Sequence, residues 1–223
     1  MPEQKNFKPS EPGSPFWGRR GSYFQFKEFT IHQDKCAMKV CTDACILGAW
    51  VANTIEASSI KNILDIGCGT GLLSLMLAQK IEASIEAIEI NLDAANQATE
   101  NISNSPWSEN IQVIHTSLQN FISSKKYDLI ISNPPFYEDD LRSGDEHKNA
   151  AKHDTALKLV ELILFVKDHL ADKGIFAVLL PFQRVNYFEK RVNEYGLFIQ
   201  EKLLIKQSPQ HDFLLSPTSV MFS

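Results

Sequence analysis

Strand-like and helix-like runs alternate from residue 60 to residue 206 of this 223-residue chain. That alternation predicts a doubly wound α/β fold on a parallel sheet. Two further observations complete the expectation. The last two strand-like runs, 197–206 and 217–223, are joined by a polar loop with no helix between them, so the final strand should be antiparallel. Ahead of residue 60 stands a short strand-and-helix extension. The expected architecture is a seven-stranded sheet in one domain over 22–223, with 22–59 packed on a 60–223 core and 1–21 a flexible arm.

Each element has its own warrant. Residues 23–31 (YFQFKEFTI) alternate apolar and polar side chains, the period of a half-buried strand, and 36–41 (CAMKVC) reads as a second short strand. In 42–53, Ile46, Leu47, Trp50 and Val51 share one helical face, with Thr42 a suitable N-cap. Residues 60–67 (IKNILDIG) form a strand running into a glycine-rich turn, and 72–80 the helix that follows. Strands are expected at 84–90, 111–116, 127–133 and 174–180. Helices are expected at 92–102, 156–170 and 183–195, with a short helical piece at 117–123.

Composition excludes several classes. At 43% hydrophobic residues the chain can build a core, and a formal net charge of −5 argues against a wholly basic nucleic-acid-coating protein. No run approaches the ~20 apolar residues of a membrane span. The polar, proline-rich N-terminus lacks the apolar core of a secretory signal, so a cytoplasmic protein with free thiols is expected. His32, Cys36, Cys41 and Cys45 can be drawn as a zinc cluster, but none has CxxC spacing; small buried residues are the preferred reading, and no metal is expected.

The first candidate site is Asp65-Ile66-Gly67-Cys68-Gly69-Thr70-Gly71, at the end of the first core strand. Glycines let the backbone turn sharply and approach a ligand. A hydride-transfer site would place its third glycine one position later. Asp65 suits an ammonium group and does not suit a pyrophosphate. Glu89 ends the next strand, where a carboxylate can accept both ribose hydroxyls. Asp65, the three glycines and Glu89 together describe a pocket for S-adenosylmethionine. Thr42 and Asp43 open the small helix, whose free N–H groups can receive the methionine carboxylate or simply mark an ordinary N-cap.

The second site is Asn133-Pro134-Pro135-Phe136, where two prolines end the fourth core strand. A neutral exocyclic amine is a poor nucleophile because its lone pair is delocalised. The Asn133 side-chain oxygen and the Pro134 carbonyl can each accept one N–H of such an amine and aim its lone pair at a sulfonium methyl. Catalysis is then positioning plus stabilisation of the charge developing on nitrogen. Phe136 offers a face on which a planar substrate can stack.

LDIGCGTG (64–71) with NPPF (133–136) resembles the amino-directed, S-adenosylmethionine-dependent methyltransferases, whose substrates are nucleobase amines in DNA and RNA or a glutamine amide in release factors. The N-terminal segment FQFKEFTIHQDKCAMKVCTDACILGAWV (24–51) is similar to that of the bacterial tRNA1(Val) adenine-37 N6-methyltransferases. The resemblance covers about 22–223 and implies a Rossmann-like methyltransferase sheet. It implies catalytic roles for Asn133, Pro134, Pro135 and Phe136. It implies cofactor contacts from Thr42, Asp43, Asp65, Gly67, Gly69, Gly71 and Glu89. Relatives often carry an acidic residue after the third strand to read the cofactor's adenine; here Thr116-Ser117-Leu118 stands there, leaving Ser117 to offer a weaker hydroxyl or backbone contact. Lys152-His153 replaces the relatives' arginine–histidine pair.

The implied function is N6-methylation of an adenine in tRNA by a monomer without metal or membrane. Alternatives are methylation of a protein glutamine amide or of an rRNA guanine N2, or a non-enzymatic RNA-binding role. Lysine and arginine cluster at Arg19, Arg20, Lys27, Lys35 and Lys39, and at Arg184, Lys190, Arg191, Lys202 and Lys206. Phe16, Trp17, Tyr23, Phe24 and Phe26 lie among the first group. Basic and aromatic residues together suit an RNA, and singly they suit a solvated face. The polar loop 137–154, with His153, has the character of a lid or of disorder.

Overall fold

A computed structural model describes residues 22–36, 38–134, 159–206 and 208–222. The N-terminal segment holds a hairpin, β1 (Tyr23–Gln25) and β2 (Thr30–His32), and a helix, α1 (Thr42–Thr54). The core then runs β3 (Asn62–Ile66), α2 (Leu72–Ala78), β4 (Ser84–Glu89), α3 (Leu92–Ser103), β5 (Ile111–His115) and β6 (Tyr127–Ser132). It continues through α4 (Leu159–His169), β7 (Leu170–Pro181), α5 (Val185–Glu194), β8 (Leu197–Lys202), β9 (Ile205–Lys206) and β10 (Phe213–Phe222).

The sheet has the order β5-β4-β3-β6-β7-β10-β8, with β9 paired to β10 off this path. β5 to β7 are mutually parallel, and β10 is antiparallel to both β7 and β8. Strand order reverses beside β3, which makes the carboxyl ends of β3, β4 and β6 the place where a doubly wound fold binds ligands. β10 thus inserts between β7 and β8 instead of merely following β8 at the edge.

Two faces of apolar side chains flank the sheet. Ile63, Leu75, Leu77, Ile85 and Leu129 lie on one side with Ile31, Leu47 and Val51 from the N-terminal segment. Leu64, Ile130, Leu162, Phe176 and Phe188 fill the other. Every residue of α2 is buried, because it is sandwiched between the sheet and α1. Gly48 makes that contact possible: a Cβ there would stand 2.8 Å from the Met76 sulfur.

Several sequence expectations change. The strand expected over 23–31 folds back on itself: Phe26 N–H donates to the Phe29 carbonyl across the charged Lys27-Glu28 pair, and Phe26 and Phe29 stack at 4.5 Å. The second strand of that hairpin is therefore Thr30–His32, and no described residue of 36–41 is in a strand. Thr42 is the first helical residue, not the cap; Cys41 occupies the cap position in extended backbone, without a side-chain hydrogen bond. The strand expected over 197–206 breaks after Lys202, giving an eight-stranded sheet. Pro217 of β10 has no N–H to continue that ladder and only accepts, from Leu203 N–H at 2.9 Å. β10 itself begins at Phe213, four residues before the expected start at 217, and β7 starts at Leu170, where the preceding helix was expected to end.

Candidate active site

The sheet register brings three candidate residues into one row. Ile66 pairs with Ile88 on one side and with Ser132 on the other. The next residues along, Glu89, Gly67 and Asn133, therefore stand level at the carboxyl ends of adjacent strands, about 5 Å from strand to strand. Ser132 Oγ locks this row by donating to the Ile66 carbonyl at 2.8 Å. Asn133 is half-buried and Pro134 buried. Pro135, Phe136, Lys152 and His153 lie outside the described residues, as do Phe16, Trp17, Arg19 and Arg20 and the whole arm 1–21.

The turn after β3 is built from hydrogen bonds that only this backbone shape permits. Gly67 and Cys68 N–H both donate to the Ile88 carbonyl, at 2.9 and 3.0 Å. Gly67, Gly69 and Gly71 all have positive φ. At Gly69 (φ +55°) an added Cβ would meet nothing within 4 Å, so this glycine faces open space. At Gly71 (φ +80°) a Cβ would approach Ile102 Cδ1 at 3.3 Å, so this one is closed in by α3. Leu75 N–H donates to the Gly71 carbonyl at 3.0 Å, starting α2 directly from the turn.

Glu89 braces the same turn. Its Oε2 accepts from Gly69 N–H and its Oε1 from Asn91 N–H, both at 2.9 Å. Asp65 is completely buried. Its Oδ2 accepts from Ser74 Oγ at 2.7 Å and Ser74 N–H at 3.1 Å. Its Oδ1 is buried and has no partner among the described residues. Burial pushes the Asp65 carboxyl up to about 7, against the two Ser74 hydrogen bonds, which hold it down, and with a further upward push from nearby Glu89. A half-satisfied buried carboxylate beside an open glycine turn is what a cationic ligand would complete.

The remaining candidates divide. The second half of α1 (Trp50, Val51, Thr54) packs beside Ile175 and Ala177 of β7, and Gly48 meets Leu73 at the start of α2. The helix N-terminus, with exposed Thr42 and half-buried Asp43, is thereby directed toward the carboxyl edge. Ser117 follows β5 and caps the short turn Leu118–Asn120 by accepting from Asn120 N–H at 3.3 Å. The cysteines scatter: Cys36, Cys41 and Cys45 are half-buried and Cys68 buried, its thiol raised by burial. Among the described residues no three histidine, cysteine or acidic side chains are placed to hold a metal ion, and no helix is long and apolar enough to cross a membrane.

Sequence reasoning missed the residues that hold the site together. Ser74 lies inside an otherwise apolar helix, and Ser132 ends an apolar strand. Asn101, 1% exposed, donates from Nδ2 to the carbonyls of Thr70 and His32 and accepts from His32 N–H, all at 2.9 Å. The available signal was a polar side chain on a core-facing position: Gln97 and Asn101 share the buried face of α3 with Ala94 and Ala98.

This sheet order, the glycine turn and an acidic residue ending the next strand define a Rossmann-like methyltransferase that uses S-adenosylmethionine. Residues 48–178 match the family described as the methyltransferase small domain. TYW2 of Pyrococcus horikoshii, solved in complex with MeSAdo, superposes with a TM-score of 0.65 at 15% identity, covering 90% of this chain and 70% of that one. Trm5b of Pyrococcus abyssi does so with a TM-score of 0.65 at 17% identity, covering 92% and 58%. Among sequences, the tRNA1(Val) (adenine(37)-N6)-methyltransferase of Dyadobacter fermentans is 43% identical over 83% of this chain and 76% of its own. That of Cytophaga hutchinsonii is 47% identical over 80% and 75%. The chain belongs to the tRNA1(Val) (adenine(37)-N6)-methyltransferase family.

Proposed function

We propose that this protein transfers a methyl group to N6 of an unpaired adenine in tRNA, adenine 37 of tRNA1(Val) being the target its relatives are named for. The observation that carries the reading is the row Glu89–Gly67–Asn133, which sets an amine-binding asparagine beside the cofactor turn. The setting is the cytoplasm, where tRNA is found.

The residues fit the cofactor. Glu89 binds the ribose hydroxyls, and the open side of Gly67 and Gly69 admits the ligand close to the backbone. Asp65, with its unpartnered oxygen, balances positive charge. The first turn of α1, with Thr42 and Asp43, lies toward the methionine end, and Ser117 toward the adenine. Bound S-adenosylmethionine supplies an electrophilic methyl group. Asn133 Oδ1 and the Pro134 carbonyl accept the two N–H groups of the target amine, orient its lone pair and stabilise the charge that develops as it reacts. The amine proton becomes acidic at that stage, so no strong base is required. Pro135 and Phe136 follow in the sequence, and Phe136 supplies the aromatic face for the base. Both carbonyl acceptors are neutral, which suits an amine that begins uncharged.

The test is transfer from radiolabelled S-adenosylmethionine to bulk tRNA, with the label mapped by mass spectrometry and a release factor as parallel substrate. Label on an adenine N6 of tRNA supports the reading; label on a protein glutamine alone overturns it.

A further inference from the structure

The carboxyl edge carries a second feature two strands away from the Asn133 row. Ser132 pairs with Val178, so Asn133 stands level with Leu179 of β7. β7 runs on to Pro181 and leaves the sheet through the turn Phe182–Arg184. On its other side Leu215 of β10 pairs with Pro181, so Phe213 overhangs the same edge, and β9 places Lys206 opposite Phe213. The Phe182 and Phe213 rings lie 5.1 Å apart, and Lys206 Nζ lies 4.4 Å from the centre of the Phe213 ring. Phe182 is 36% exposed and the adjoining Leu214 52%. Strand spacing of about 4.8 Å and rise of about 3.3 Å per residue put Phe182 about 11 Å and Phe213 about 16 Å from Asn133, roughly three to five base steps of about 3.4 Å.

We propose that Phe182, Phe213, Lys206 and Arg184 form a stacking platform for an unpaired nucleotide neighbouring the target adenine. The proposal rests on RNA being the substrate of the Asn133 site. Two other basic side chains of this half of the chain are engaged elsewhere. Lys202 pairs with Glu189 at 2.7 Å, and Arg191 pairs with Glu194 at 2.9 Å while lying over the Tyr187 ring. Among the described residues, Lys206 and Arg184 have no ion pair. A base has two π faces and a phosphate beside it; two touching phenyl rings with a cation on one of them match that chemistry. A glutamine side chain offers neither an extended π face nor an anion, so the cluster favours RNA over a protein substrate. The Phe182 ring is exposed and the Phe213 ring half-buried, at an edge beside the catalytic row.

The experiment measures binding of a fluorescein-labelled RNA hairpin with an adenine-containing loop, and KM for tRNA, in Phe182→Ala, Phe182→Trp and Lys206→Ala. Phe182→Ala should weaken hairpin binding about tenfold, the scale of one lost base stack, and raise KM for tRNA with kcat little changed. Phe182→Trp should restore both. Lys206→Ala should reduce the slope of log affinity against log salt by roughly 0.7, one single-strand phosphate. Affinity for S-adenosylhomocysteine should stay at the wild-type value in all three. If the wild type methylates tRNA and Phe182→Ala and Lys206→Ala bind and turn it over unchanged, the platform is overturned and the methylation reading stands. If the wild type does not methylate tRNA, both fall. Lys206 is exposed, so its replacement leaves the fold intact whatever Phe182→Ala does to stability.

Discussion

Asn101 holds His32 by both of its backbone groups, accepting from its N–H and donating to its carbonyl at 2.9 Å each. The same amide donates to the Thr70 carbonyl inside the glycine turn. One buried side chain of α3 thus ties the N-terminal hairpin to the cofactor loop, across 69 residues of sequence. Gln97, one turn earlier, accepts from Lys35 N–H at 3.2 Å and extends the clasp.

Asn101→Ala should leave three backbone groups unpaired, the Thr70 carbonyl fully buried and the two of His32 partly so. At about 1–3 kcal/mol for an unsatisfied buried group, the midpoint of urea denaturation should fall markedly. Asn101→Asp should do no better, because a carboxylate cannot donate to either carbonyl. A melt of either variant that matches the wild type would show that the clasp contributes nothing.

The second and third glycines of the turn should fail in different ways. Both have positive φ, where a side chain costs on the order of 1 kcal/mol. Gly71→Ala adds a contact at 3.3 Å with Ile102, so its main effect should be a lower melting temperature. Gly69→Ala meets nothing, so its melting temperature should fall only by that backbone cost, while it should bind S-adenosylhomocysteine poorly, its methyl standing in the ligand's space. Calorimetry alongside melting separates the two.

Glu89→Ala should weaken cofactor binding and loosen the turn together, since Gly69 N–H and Asn91 N–H lose their acceptor. Hydrogen bonds to a charged group are worth about 1.5–3 kcal/mol, so a loss of tenfold or more in S-adenosylhomocysteine affinity is expected. Glu89→Gln keeps one acceptor and should fall between. Unchanged affinity in Glu89→Ala would remove the ribose assignment.

Asp65 links pH to both stability and binding. Its folded value of about 7 lies above the usual 3.8, so the folded chain holds a proton that the unfolded chain has released. Stability contributed by this group is therefore full below 3.8 and is lost as pH rises through about 7. Asp65→Asn should remove that slope from a pH series of melting temperatures. A ligand ammonium favours the ionised form, so wild-type affinity for S-adenosylhomocysteine should rise with pH through the same window, and the variant's should not.

Asn133→Ala should lower kcat on the order of a hundredfold, the scale of one preorganised polar group, with cofactor affinity unchanged. Asn133→Asp keeps an acceptor for the amine and should retain more activity. Folded Asn133→Ala with near wild-type turnover would rule out the proposed amine chemistry.

Much of this molecule is written in local patterns. The alternation of apolar runs gives β3 to α5, because strand and helix periods are set by the backbone and need no distant partner. The glycine spacing at 67, 69 and 71 and the paired prolines at 134 and 135 mark strand ends, since they report backbone shapes that few residues adopt. Candidate residues at those ends were therefore legible before any packing was known. Tertiary structure alone decided what depends on residues far apart in the chain. It inserts β10 between β7 and β8, and it breaks the strand after Lys202 because Pro217 arrives beside it without an N–H. It leaves Asp65 Oδ1 buried without a partner among the described residues, sets Phe213 and Lys206 over the edge near Asn133, and recruits Asn101 to the glycine turn. A buried hydrogen bond or an unpaired oxygen is a relation between two places on the fold, and one stretch of sequence carries only one of them.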